Sequence, residues 1–253
     1  MRFRPTALLL FTILVSGHLN AQEREQITTR SGDKFSRLDE VYYVLKADKT
    51  VKDGSYQLLR NGKVLVSGLY THGQKDSVWK FYGRTGVVLS KKWYKAGQRT
   101  GVWEFVNFKG EPEWSYDFST NRASVQRPAP VFQDTAIFYY RSESNTWVRD
   151  QVDQPLVVLL GSAEWLDFLN RTLRYPDEAV NKNQQGEVVV GVTIDEKGSI
   201  TNYELIKTAY PSLDQEALRI IQLYPFEFVP AEKDGKKIKA RFDVPIRFRL
   251  EQG

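Results

Sequence analysis

The sequence predicts an α+β protein in two parts: an N-terminal sheet of antiparallel β-hairpin repeats, then a domain of helices packed on a three-stranded antiparallel sheet. Three observations predict it. A 24-residue period runs from Val41 to Arg122, helical and strand patterns alternate from Ser162 onward, and the last strand alternates apolar and polar residues without a break. A length of 253 residues suits two domains, and 13 Tyr, 14 Phe and six Trp favour strands. The expected division is a leader at 1–21, hairpin repeats at 41–122, a linker with connecting strands at 123–160 and the C-terminal domain at 161–250.

The first residues predict export. Arg2 and Arg4 form a basic start, Ala7 to Val15 an apolar stretch, and Leu19-Asn20-Ala21 a small-residue cleavage site before Gln22. A spanning helix needs ~20 apolar residues. Ser16, Gly17, His18 and Asn20 interrupt the run, so cleavage is expected, and a retained leader would act as an anchor. With no cysteine in the chain, disulfides and a lipid-modified Cys are excluded, and stability rests on packed cores.

In the repeats, Gly62, Gly86 and Gly110 are 24 residues apart, as are Tyr70, Tyr94 and Phe118, while Tyr56, Trp79 and Trp103 are 23 and 24 apart. Each unit sets a glycine beside a polar residue between two runs rich in aromatic and β-branched residues. That is the pattern of a tight hairpin with positive φ at its turn. A lone hairpin is marginal in water, so the units must lie side by side and share one aromatic face. Gly54 has no counterpart at Ser77, and Pro112 follows the third turn. These residues resemble MORN-type repeats over 41–122, and the resemblance implies an elongated sheet.

Between Val41 and Arg122 there are 14 Lys or Arg against seven Asp or Glu, so the basic excess behind the net charge of +5 lies in the repeats. Lys91, Lys92, Lys95 and Arg99 lie close together. They fit a surface for an anionic lipid or cell-wall polymer, but the favoured reading is a solvated face that discourages edge-to-edge aggregation. Nucleic acid is not an expected partner of an exported chain. The segment Ala123 to Pro130 lacks periodicity and carries two prolines, as a linker does. Thr135 to Tyr140 and Leu156 to Leu160 read as strands of unassigned membership.

From Ser162 the apolar residues Trp165, Leu166, Leu169 and Leu173 fall at helical spacing. Pro176 suits the first position of a second short helix, where Asp177 and Glu178 complement its dipole. Val188, Val190, Val192 and Ile194 alternate as a half-buried strand, Asp195 to Gly198 turn, and Ile200 to Ile206 returns. Ser212 with Gln215 forms a capping box for a third helix, whose face carries Leu213, Ala217, Ile220, Ile221 and Tyr224 before Pro225. In the last strand Ile238 to Leu250 supply a buried face and Lys239, Arg241, Asp243, Pro245, Arg247 and Arg249 a wet one. Pro245 cannot donate to a ladder, so its position must face solvent or a bulge.

Leu173-Arg174-Tyr175-Pro176-Asp177-Glu178-Ala179, Gly186-Glu187-Val188, Asp195-Glu196-Lys197-Gly198, Leu213-Asp214-Gln215-Glu216-Ala217, Phe228-Val229-Pro230-Ala231 and Val244-Pro245-Ile246-Arg247-Phe248 together resemble the TonB C-terminal domain, in order and spacing. Phe226 and Phe228 stand where that family has a tryptophan. The resemblance implies a periplasmic domain that takes up an extended peptide of an outer-membrane transporter, the TonB box, as an added strand beside the terminal strand. The implied contacts are Lys239, Arg241, Asp243, Pro245 and Arg247, with Leu173, Arg174, Tyr175 and Pro176.

An enzyme is not expected. His72 is the one histidine after the leader and there is no cysteine, which leaves no His-based triad, thiol nucleophile or His-rich metal site, and no cofactor motif is present. The leading expectation is a periplasmic adaptor docking on a TonB-dependent transporter or another envelope protein. Energy transduction would require an inner-membrane anchor, hence a retained leader; without one, membrane contact is peripheral. The other expectations are an envelope scaffold, whose C-terminal domain forms a homodimer, and a lipid or cell-wall binder acting through the repeats.

Overall fold

Turn chemistry sets the first half of the molecule. Asn61-Gly62, His72-Gly73 and Ala96-Gly97 all take positive φ, 49° and 79°, 49° and 79°, 47° and 77°, the geometry of two-residue turns whose twist matches that of the flanking strands. The computed structural model describes residues 23–31, 37–125, 136–141, 144 and 146–250; the expected leader lies outside them. Nine strands form one antiparallel meander in chain order: β1 (Arg24–Ser31), β2 (Leu38–Leu45), β3 (Lys52–Arg60), β4 (Lys63–Thr71), β5 (Gln74–Tyr82), β6 (Val88–Lys95), β7 (Gln98–Val106), β8 (Pro112–Asp117) and β9 (Arg122–Val125). The sheet thus exceeds the repeat at both ends, and β9 takes residues expected in the linker. Ser77 keeps the repeat's backbone without its glycine: its φ is 57°, where Gly54 has 123° and Gly101 has 61°.

The periodic aromatics form a ladder on one face. Tyr56, Tyr70, Trp79, Tyr94, Trp103 and Phe118 follow one another at centroid distances of 5.0 to 6.4 Å, mostly in the edge-to-face arrangements that ring quadrupoles favour. The indole bonds repeat as well. Trp79 Nε1 donates to Leu69 O at 3.2 Å and Trp103 Nε1 to Trp93 O at 3.0 Å. Gly68 leaves room for the first indole: a Cβ there would stand 2.3 Å from Trp79.

The second sheet has five strands, in the order Thr146–Val148, Ala136–Arg141, Ala240–Phe248, Gly186–Ile194 and Ile200–Lys207, not the three expected. Its added strands are β10 (Ala136–Arg141) and β11 (Thr146–Val148), from the segment whose membership the sequence left open. The remaining elements are β12 (Val157–Val158), α1 (Ser162–Thr172), α2 (Asp177–Asn181), β13 (Gly186–Ile194), β14 (Ile200–Lys207), α3 (Pro211–Leu223), β15 (Phe228–Val229), β16 (Ala231–Lys233), β17 (Lys236–Ile238) and β18 (Ala240–Phe248). β13 and β18 pair along their whole length, from Gly186 opposite Phe248 to Ile194 opposite Ala240. Their inward residues Val188, Val190, Phe242 and Val244 pack with Leu213, Ala217 and Ile220 of α3. Two local details differ from expectation. Pro176 is the N-cap of α2 rather than its first residue. In α3, Pro211 is at the first turn and Tyr210 is the N-cap without a side-chain bond, so Ser212 does not cap; the Asp214 carboxylate accepts instead from Ala209 N at 2.9 Å.

The two sheets meet through the ladder. Leu159 and Val229 join the core that holds Trp103, Phe105 and Tyr116, and β12 pairs with β15 beside them. Gly161 packs so closely that a Cβ would lie 3.1 Å from that of Phe105. The Glu113 carboxylate of β8 accepts from Ser162 N at 3.2 Å and from the Ser162 hydroxyl, giving α1 an anionic cap from the other module. Arg99 reaches Phe228 O at 2.6 Å, and Trp114 Nε1 donates to Leu160 O at 3.3 Å.

Candidate functional site

The expected docking strand has two unlike halves. On one side β18 is fully paired with β13. On the other, among the described residues, β10 pairs with it from Tyr139 opposite Ala240 to Ala136 opposite Asp243. Tyr140 N donates to Lys239 O at 3.0 Å, and backbone groups of alternate residues face the same way along a strand. Arg241, Asp243 and Pro245 therefore present their main chain toward the β10 side. Pro245 falls beyond the last β10 pair among the described residues, a position that suits a residue without an N–H. From Val244 to Phe248, β13 is the only strand partner of β18 among the described residues.

The outer face of the covered half is occupied, which corrects the expectation of an open basic strand there. Arg241 pairs with Asp243 at 2.8 Å and with Glu204 at 3.4 Å, and it lies over the rings of Phe138 and Trp147. Lys239 sits 5.2 Å from the centroid of Tyr140. Burial raises the pKa of Asp243 even though Arg241 pulls it down. In the second half Arg247 is half exposed and pairs with Glu187 at 2.7 Å, a carboxylate also held by Lys207. Hydrogen bonds from Arg247 and Lys207 keep Glu187 ionised below the usual carboxylate range.

The segment Leu173 to Pro176 adjoins that second half. Leu173 ends α1 and packs on the core. Arg174 N donates to Glu216 Oε1 at 2.6 Å, and Tyr175 OH donates to Gln184 O at 2.6 Å. The Tyr175 ring meets Phe248 edge-on at 5.8 Å. The structure thus brings Tyr175 and Pro176 to the Phe248 end of β18 and leaves Lys239 and Arg241 under the β10–β11 hairpin.

The four basic repeat residues do not share one surface. Lys91 is exposed and pairs with Glu104 at 2.9 Å, and Lys95 is exposed. Lys92 is only 3% exposed, between Glu164 and Glu227 at 3.5 and 3.4 Å. Burial alone would depress its ammonium, but the attraction of the two carboxylates wins and holds its pKa above the ordinary value. Arg99 is committed to Phe228 O. Sequence reasoning missed this interface, although strand alternation puts Lys92 in phase with the buried Tyr94. It also missed Phe138 and Trp147, whose contacts are with a strand about a hundred residues away.

Comparison with known proteins bears on the same stretch. Residues 171–250 match the family described as Gram-negative bacterial TonB protein C-terminal. Over 79 residues, 31% of this chain, there is 33% identity to Protein TonB of Vibrio cholerae serotype O1 (strain ATCC 39315 / El Tor Inaba N16961), covering 32% of that protein. The chain therefore spans about a third of the length of the curated relative it matches. The solution structure of the Helicobacter pylori TonB C-terminal domain is 26% identical, with 35% of this chain and 79% of that one covered and a TM-score of 0.26. Over residues 171–250, this chain carries a TonB C-terminal domain.

Proposed function

We propose that the protein is a non-enzymatic envelope adaptor whose C-terminal domain captures an extended peptide of an outer-membrane transporter, or of another envelope protein, as a strand beside β18. The observation that carries this lies on β18: among the described residues β10 pairs with it as far as Asp243, and Val244–Phe248 has no partner strand on that side. An added strand there gains main-chain bonds, while side chains at alternate positions provide selectivity. Tyr175, Pro176 and Arg247 flank that edge. The β10–β11 hairpin limits the usable length, so the recognised segment is short.

Photocrosslinking in cells tests the reading. With p-benzoylphenylalanine in place of Arg247, a specific outer-membrane protein is expected in the crosslinked product; in place of Lys197, in the far β13–β14 turn, none is. Equal capture from both positions, or none from Arg247, rejects strand pairing at this edge. Force transmission needs in addition a membrane tether, which places the question at residues 1–21, outside the described part. N-terminal sequencing of the protein from cells tests it: a start at Gln22 leaves a docking role, and an intact leader would supply the tether that transduction requires.

A further inference from the structure

A cation recurs with the repeat, and among the described residues one copy has neither a carboxylate nor a carbonyl partner. Lys52, Lys75 and Arg99 are 23 and 24 residues apart. Lys52 lies 5.1 and 5.4 Å from the Tyr56 and Tyr70 centroids, Lys75 lies 4.7 and 4.8 Å from those of Trp79 and Tyr94, and Arg99 lies 5.4 Å from that of Phe118. The two outer members have further partners, Glu40 at 2.7 Å for Lys52 and Phe228 O at 2.6 Å for Arg99. Among the described residues, no carboxylate lies within ion-pair distance of Lys75. Burial lowers its pKa, opposed by the more distant Glu227.

Lys75 lines a cleft of about 630 Å³ between the uncovered part of the ladder and Phe168, Tyr224 and Phe226 of the C-terminal module. That volume is in the range of small-molecule sites. The cleft is long. Lys75 is opposite Tyr70, Tyr70 is opposite Gly54, and Arg60, which also lines the cleft, is six residues further along β3. At ~3.3 Å per residue the backbone positions of the two residues are roughly 20 Å apart along the strands.

The ring wall offers mostly faces, although the charged Arg60, Lys92, Glu164, Arg171 and Glu227 also line the cleft. Trp79 Nε1 is used by Leu69 O, Tyr224 OH by Glu164, Tyr82 OH by Ser67 and Tyr56 OH by Glu40, and the strand amides are in the ladder. A sugar or peptide lying along those rings would lose water bonds without replacement. An alkyl chain loses none. We propose that this cleft binds a single-chain amphiphile, its anionic head paired with Lys75 and its apolar chain lying along the rings toward Arg60. The inference is independent of strand pairing at β18.

Calorimetric titration of the full chain with dodecanoate below its micelle concentration tests this, with dodecanol as the uncharged counterpart. One saturable dodecanoate site is expected, weakened at least about tenfold by Lys75→Met and kept by Lys75→Arg, as loss of a charge-assisted contact requires. Dodecanol should bind at least about tenfold more weakly than dodecanoate and respond little to Lys75→Met. Lys91→Met, exposed and remote from the cleft, should change neither. The proposal is overturned by the absence of saturable dodecanoate binding, by equal affinity for the two probes, or by unchanged dodecanoate affinity in Lys75→Met. Circular dichroism checks that the variants fold, and if Lys75→Met does not, the wild-type contrast between dodecanoate and dodecanol decides alone.

Discussion

The two ends of one aromatic ladder have the same local construction and opposite surroundings. Trp103, Phe105 and Tyr116 are at most 1% exposed beneath Leu159, Gly161 and Val229. Tyr56 and Tyr70, two periods earlier, and Phe81, one period earlier, are half-buried and open onto the cleft. The repeat therefore decides where each ring stands, and a distant segment decides whether it becomes core. Lys92 marks the changeover. It lies one period after Gly68, whose missing side chain admits Trp79, and its ammonium lies over Phe81 at 4.5 Å while engaging Glu164 and Glu227 from the covering module.

Removing that cation should break the comparison most severely. Lys92→Met leaves Glu164, which is 8% exposed, without its ammonium, and an uncompensated buried charge costs about 3 to 5 kcal/mol. Urea unfolding followed by tryptophan emission should show that loss, and adding Glu164→Gln should recover much of it. A loss below about 1 kcal/mol, the usual worth of a surface pair, would mean that the ladder end is not held by these charges. The same cluster predicts an alkaline weakness. Lys92 is held above its usual value by the two carboxylates, and Tyr94 and Tyr224 are raised by burial and then by Glu227 and Glu164. The folded state thus retains protons that the unfolded chain releases near pH ~10. Their contribution is complete below that pH and falls as pH rises through the raised folded values. In Lys92→Met the lysine part of that fall should be absent.

Gly68→Ala acts on the open end. Its Cβ would meet the Trp79 indole at 2.3 Å, which forces the ring toward the cleft and costs about 1 to 3 kcal/mol by overpacking. The bond from Trp79 Nε1 to Leu69 O should be lost, and a red shift of tryptophan emission would report it. If the emission and the unfolding midpoint stay unchanged, the indole does not depend on the space that Gly68 leaves.

Much of this was legible because it is local. The turn glycines Gly62, Gly86 and Gly110, the ladder residues Trp79, Tyr94 and Trp103, and the alternation of β18 all follow from spacing, and the structure contains the elements they imply. What was not legible depends on long-range pairing. Thr135 to Tyr140 reads as a strand, but nothing in the sequence sends Ala136–Tyr139 to Asp243–Ala240. Lys92 reads as one of a basic cluster because Glu164 and Glu227 are 72 and 135 residues away. Ser77 reads as a broken motif because positive φ at a serine leaves no mark in composition. At the docking edge, Pro245 has no β10 partner among the described residues, whereas Arg241, by alternation an outward residue, lies under Phe138 and Trp147.

The smallest expected effect is a gain, at the one two-residue turn whose first position lacks a residue suited to it. Asn61 and His72 occupy that position in the preceding turns, while Ala96 is held there at φ 47° and exposed. An alanine in the left-handed region is strained by its Cβ, and asparagine tolerates it. Ala96→Asn should therefore stabilise the protein by about 0.5 to 1 kcal/mol, measured as a raised urea midpoint. The turn is local, with Ala96 N bonded to Asp76 Oδ2 at 3.2 Å and Gly97 N to Lys75 O at 2.8 Å, and neither bond touches the covering module. The gain should thus persist undiminished in a Lys92→Met background, as independent sites add. A gain that disappears there would show that turn geometry and cover are coupled, and that the repeat is not the autonomous unit its period suggests.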